Sequence, residues 1–264
     1  MGEEYTDVIM KRVRKGVLLN SLKKGKRYDG RAVDELRPVE IEKGVISTAE
    51  GSAVARIGKT QVLVGVKFDV ATPFPDRPKE GVMMMNSELL PLASPTFESG
   101  PPREDAIELA RVVDRGIRSA EIIDLDSFYI EEDKVLGLFL DIYVLDHDGN
   151  YLDTSALAAT AALTDTKMPK IEEGKIVRGE YTGKLDLKAL PVATTFVKIG
   201  ESWLLDPSRD EELAMDSRIT ISTTEGHVCT MQKGKGFITR KDLLDNVEVA
   251  FKKGNELRNI LKGD

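Results

Sequence analysis

The chain is poor in the residues that most often announce a reactive site. Its 264 residues include one cysteine and two histidines. A lone cysteine, Cys229, excludes an internal disulfide and any zinc site built on several thiolates. It lies in the alternating run Gly226-His-Val-Cys-Thr-Met231 and is expected to be a buried structural thiol. His147 and His227 stand at no ligand or catalytic spacing and read as turn or strand residues. No stretch approaches the roughly 18 consecutive apolar residues of a membrane span. The opening Met-Gly-Glu-Glu-Tyr-Thr-Asp is acidic and lacks the apolar core of a secretory signal, so a cytoplasmic location is expected. Positive charge is in deficit too, with 38 Lys and Arg against 45 Asp and Glu and a net charge of -7. Any contact with nucleic acid must therefore come from a local basic patch or from a partner chain.

What is present describes a globular protein, 41% hydrophobic and 31% charged, large enough for one big domain or two fused halves. Residues 5–24 read as an amphipathic helix with Val8, Ile9, Val13, Val17 and Leu18 on one side. Gly51–Gly58 and Thr60–Lys67 read as a strand hairpin, and Gly81–Leu92 as a further strand. Gly137–Leu145 is mostly apolar and predicts a strand covered on both faces. Asp148-Gly149 marks a turn, after which Asp153 or Thr154 is expected to cap an alanine-rich helix. The polar stretch 170–188 is the candidate boundary, dividing a first lobe over 1–170 from a second over 171–264. Strands at 190–199, 203–206, 218–224 and 227–232 then lead to a terminal helix from Arg240 to Leu261. Strands followed by a helix, twice over, predict an α/β fold of two related lobes, mixed sheets packed with helices.

The segment Glu108-Leu-Ala-Arg-Val-Val-Asp-Arg-Gly-Ile-Arg118 carries arginines at i, i+4 and i+7. In a helix over about 103–122, Arg111, Arg115 and Arg118 share one face. Pro101 and Pro102 suit its start, and Glu104 and Asp105 suit the positive end of its dipole. Ala106, Ala110, Val113, Ile117 and Ala120 form the expected core stripe, with the arginines roughly 120° away at 100° per residue. Asp114 can neutralise Arg118 and Glu108 can reach Arg111, but Arg115 has no acid at helical spacing. A basic face only partly neutralised by its own helix suits an outside anion. A plain solvated face is the competing reading.

Arg31–Pro38, Gly51–Val66, the arginine helix and Val144–Thr154 resemble the RNase PH family of phosphorolytic 3′-to-5′ exoribonucleases. Within it, Phe97-Glu-Ser-Gly-Pro-Pro102 and Ala110-Arg-Val-Val-Asp-Arg115 are most similar to the non-catalytic RNase-PH-like subunit of the archaeal exosome. The resemblance implies a two-lobed RNase-PH-like fold with pseudo-duplicated β–α units. It also locates the family's chemistry, in which phosphate is held by arginine and hydroxyl donors beside the terminal phosphodiester. Active relatives follow the equivalent of Asp148-Gly149 with Ser or Thr and then Arg, where this chain has Asn150-Tyr151-Leu152. They carry an arginine where this chain has Asp105, and a catalytic aspartate where it has Ala189. Each lost charge-assisted hydrogen bond costs about 1.5–3 kcal/mol of anion binding. No catalytic residue, metal or other cofactor is therefore expected. Asp165, Asp186 and Asp206 read as structural or surface carboxylates.

What the resemblance implies for partners is a hexameric ring of three heterodimers with a catalytic RNase-PH-like subunit, RNA-binding cap subunits, and single-stranded RNA. Arg111, Arg115 and Arg118 are the candidate RNA contacts. Two alternatives are an active phosphorolytic exoribonuclease with a rearranged site and a purely architectural ring subunit.

Overall fold

The computed structural model describes residues 2–263, with side chains from residue 13 onward. Helix α1 (Gly2–Lys23) is followed by strands β1 (Val39–Lys43), β2 (Gly51–Ile57), β3 (Thr60–Ala71) and β4 (Val82–Leu89). Helix α2 (Glu104–Ser119), a 3-10 turn (Leu125–Phe128), β5 (Tyr129–Glu131), β6 (Lys134–Asp146) and α3 (Tyr151–Asp165) complete the first set. A hairpin of β7 (Lys167–Glu172) and β8 (Lys175–Lys184) leads to β9 (Val192–Ile199), β10 (Ser202–Leu205), α4 (Arg209–Ala214), β11 (Ser217–Thr223), β12 (Val228–Lys233) and α5 (Arg240–Lys262).

The first sheet runs β1-β2-β3-β6-β4 with β5 beside β6, and only the β4–β6 pairing is parallel. The second runs β10-β9-β11-β12, all antiparallel. Alanine content decides how they are joined. Ala158, Ala159, Ala161 and Ala162 of α3 are fully buried and let that helix lie close on the first sheet. The other face of α3 meets β9, so one helix serves both sheets. α5 packs on the far face of the second sheet through Ala250, with Leu243, Val247 and Val249 partly buried beside it.

Four expectations change. α1 buries Leu18 and half-buries Leu19 and Leu22, against Val197, Ile199 and Leu204, while Val13 and Val17 are exposed. The apolar face is thus turned from that expected; Val8 and Ile9 lie outside the described side chains. β6 buries Leu136, Leu138, Leu140, Ile142 and Val144 completely, but its other face is half-buried. The stretch 170–188, read as a polar boundary, holds most of the β7–β8 hairpin. α3 begins at Tyr151, with Asn150 as its left-handed N-cap at φ 58°, because Asp153 is drawn inward instead. Asp153 accepts hydrogen bonds from Thr195 N–H and Oγ1, both at 2.6 Å.

The segment before β1 is bound to the second sheet by buried charge. Arg37 reaches Asp206 through its backbone N–H and Nε, both 2.9 Å, and Nη2, 2.8 Å. Arg31 Nη1 joins the same carboxylate at 2.9 Å, as does Asn150 Nδ2 at 2.7 Å. Arg27, fully buried, bonds Glu211 at 2.9 Å through Nε and the carbonyl of Leu205 at 2.7 Å. Burial alone would raise the Asp206 pKa, but the hydrogen bonds and charge of Arg37 override it and hold it below the ordinary carboxylate value. Asp206 is therefore structural, as the sequence suggested. Asp206→Ala leaves two guanidinium groups without their buried anion and should cost about 3–5 kcal/mol. Urea unfolding monitored by circular dichroism measures it; a loss below 1 kcal/mol would contradict the role given to this network.

Candidate nucleic-acid interface

α2 is amphipathic and closely packed, but its buried face differs from the alanine stripe. Ala106, Leu109, Val112, Val113, Gly116 and Ile117 are buried, while Ala110 and Ala120 are only half-buried. The helix touches β4 on one side and α3 and β12 on the other, so it buries a broader arc than a single stripe. At Gly116 a Cβ would come within 3.2 Å of Ser222 Oγ, which shows how near α2 runs to the second sheet. At 100° per residue the arginines then point about 165° from the core, almost directly outward.

The three arginines differ. Arg118 is held by Asp114 at 2.7 Å and 3.1 Å and also donates to the Met83 carbonyl at 3.1 Å. Arg115 is exposed and donates to Gln232 Oε1 of β12 at 2.6 Å, a neutral acceptor. Arg111 is exposed and pairs with no carboxylate among the described residues. Glu108, expected as its partner, instead binds Arg218 Nη2 of β11 at 2.5 Å. Two adjacent guanidinium groups thus keep their charge unpaired, and one does not. Gln232 and Arg218 could not have been found from spacing, because both reach α2 from more than a hundred residues away.

The loop where the resemblance places the phosphate donors of active relatives has a different content here. Gly149 adopts φ 92° and a Cβ there would collide with the backbone of Pro207 and Ser208, so this turn requires glycine. Arg37 donates to the carbonyls of Asp148 at 2.8 Å and Gly149 at 3.0 Å. Asn150 Nδ2 faces inward to Asp153 at 2.8 Å and to Asp206. Tyr151 packs edge-on against His147 at 5.0 Å and Phe97 at 6.4 Å, and His147 stacks on Phe97 at 5.3 Å. Burial first, then the nearby charges of Glu212, Asp105 and Glu108, raise the Tyr151 pKa, with Arg218 opposing. Burial, then Arg209 and Arg37, lower His147 to about 4, so the ring is neutral at pH 7 and its Nδ1 accepts the Gly149 N–H at 3.3 Å. The Tyr151 ring thus lies among Asp105, Glu108 and Glu212, with Arg218 engaged by Glu108. Ala189, where active relatives carry their aspartate, packs half-buried against the main core. Cys229 is half-buried, more accessible than expected, and burial raises its pKa, so the thiol form dominates at pH 7.

The fold and this site define a class. The chain belongs to the RNase PH family: residues 35–169 match the 3′ exoribonuclease family, domain 1, and residues 189–253 match its domain 2. It is 50% identical over 260 residues to the exosome complex component Rrp42 of Thermococcus gammatolerans, covering 96% of this chain and 95% of that one. The Rrp42 of Methanopyrus kandleri is 45% identical over 260 residues, covering 96% and 97%. An Archaeoglobus fulgidus exosome with RNA bound to the active site contains a chain of the same fold, with TM-score 0.86 and 45% identity over 95% of this chain and 98% of that one. No described helix is long and apolar enough to cross a membrane.

Glu212 offers a direct test of the loop's electrostatics. Burial raises its pKa to about 7 against the opposing Asn150 N–H and Arg218 charge, although its side chain is still 19% exposed. A carboxylate raised on folding favours the folded state below its ordinary pKa of 4.5, and that contribution is lost as pH climbs to about 7. Glu212→Gln retains an acceptor for Asn150 and removes the charge. Its stability relative to the unsubstituted chain should therefore improve by about 1–3 kcal/mol between pH 5 and pH 8. Thermal melts across that range check it; parallel curves would contradict the buried, raised carboxylate.

Proposed function

We propose that the chain is a non-catalytic subunit of an exosome ring in the cytoplasm, completing the active site of a catalytic RNase-PH-like partner and binding the RNA backbone. The observation that carries this reading is a contrast in charge along α2. The loop where active relatives keep their phosphate donors carries Tyr151 among carboxylates, while Arg111 and Arg115, further along α2, are exposed without a carboxylate partner. The archaeal Rrp42 relatives named above support the exosome assignment. Guanidinium contacts to phosphate are independent of base sequence, which suits general RNA degradation. The ring is a hexamer of three heterodimers carrying RNA-binding cap subunits, and the chain divides at about residue 170 into two RNase-PH-like lobes.

Arg118 has a second reading. Its pair with Asp114 and its bond to Met83 favour an architectural role that ties α2 to β4. Arg111→Ala with Arg115→Ala should leave the ring assembled and lower the slope of log affinity against log salt by about 0.7 per lost contact. Turnover by the partner should fall mainly at subsaturating RNA. Arg118→Ala should change affinity less. An assembled double mutant with unchanged affinity and slope would leave all three arginines as a solvated or architectural face.

A further inference from the structure

Beyond the arginines, the end of β12 and the loop that follows it have a composition that neither the fold nor the altered phosphate loop explains. Gln232-Lys-Gly-Lys-Gly-Phe237 places Lys233, Lys235 and Phe237 at alternate positions, and all three are exposed. Phe237 is 92% exposed, the most exposed large apolar side chain among the described residues. A loose terminal or mobile loop would be the ordinary explanation, but this one is anchored at Gly234, Lys235 and Phe237. Gly234 N–H donates to the Arg218 carbonyl at 3.0 Å, Arg218 N–H donates to Lys235 O at 3.1 Å, and Ser217 Oγ donates to Phe237 O at 2.7 Å. Gly236 takes φ 81°, and a Cβ there would collide with Asp216 and Ser217, so the backbone is pressed onto β11. The aromatic ring is therefore held out in water, at the cost of exposing its apolar surface, by a rigid backbone.

The same loop runs alongside the arginine face. Arg115 bonds Gln232 at the start of the run, and Glu108 bonds Arg218, whose backbone pairs with Gly234 and Lys235. These two rungs hold the helix that carries Arg111 and Arg115 against β12 and the residues that follow it. Lys233 Nζ meets only the Gly234 carbonyl, at 3.3 Å, and among the described residues neither lysine forms an ion pair. Lys235 lies in the field of Asp216, a carboxylate already paired with Lys15. Unpaired cations flanking a presented aromatic are what a single-stranded nucleic acid requires, phosphates on the charges and a base on the ring. A protein partner would favour an apolar surround for Phe237 with fewer lysines, since lysine is depleted in interface cores.

We propose that Lys233, Lys235 and Phe237 extend the Arg111–Arg115 face into one strip for single-stranded RNA, with Phe237 stacking a base beyond the arginine-held phosphates. This inference rests on the function proposed above. Its test uses the ring assembled with the catalytic partner, without phosphate so that RNA is not degraded, and labelled oligo(A) and oligo(U) as probes. Phe237→Ala should weaken binding by about 5- to 150-fold, the range of one lost stacking contact, without changing the salt slope. Phe237→Trp should preserve affinity. Lys233→Ala with Lys235→Ala should lower the slope by about 0.7 per contact, equally for both oligomers. Unchanged affinity in an assembled Phe237→Ala ring would overturn the inference. Failure of that variant to assemble, with the lysine variant's RNA binding intact, would overturn it as well and make Phe237 a subunit contact. Arg111→Ala with Arg115→Ala, measured in parallel, separates the two claims: if that pair loses affinity and the loop variants do not, the proposed function stands and the strip falls.

Discussion

Asp206 is the constraint on which the arrangement of the molecule depends. It is fully buried, sits in a left-handed backbone conformation at φ 49°, and gathers Arg31, Arg37 and Asn150 around one carboxylate. Those three residues come from the segment before the first sheet and from the start of α3. One buried anion thus joins the second sheet to the entry of the first and to the loop where the family keeps its phosphate donors. A buried charge cluster of this kind adds little net stability relative to apolar packing, but losing one member is costly. It fixes position. With Arg37 also holding the carbonyls of Asp148 and Gly149, the loop turns Asn150 inward, onto Asp153 and Asp206.

The opposite treatment of charge two helical turns away completes the picture. Around Tyr151 stand Asp105, Glu108 and Glu212, and Arg218 is engaged by Glu108. On the outward side of α2 the balance reverses, because pairing Glu108 with Arg218 leaves Arg111 without its helical neighbour. A single long-range ion pair therefore both engages Arg218 and leaves Arg111 without its helical neighbour. The net charge of -7 is compatible with RNA contact for this reason: the positive groups are few but unpaired and adjacent.

Much of this was legible in the sequence. The strands over 51–67 and 190–232 and the helices α2 and α5 follow from periodicity and breakers, whereas Asn150-Tyr151-Leu152, Asp105 and Ala189 stand out only through the resemblance to the RNase PH family. What was not legible depended on distant contacts. The apolar face of α1 was misplaced because its few buried leucines dock on β9 and β10, which periodicity does not show. The N-cap of α3 lies at Asn150 rather than at Asp153, because Thr195 engages the Asp153 carboxylate. Gln232 and Arg218 carry no local signal at all, yet they decide which arginines of α2 are free.

The most direct test of the central claim, that this chain supplies RNA contacts but no phosphorolytic site, is a mixed ring in which only the partner's catalytic residues are disabled. Supplied with poly(A), Mg²⁺ and phosphate, that ring should still bind RNA yet release no nucleoside diphosphate above background. Phosphate-dependent release of nucleoside diphosphates by it would contradict the account.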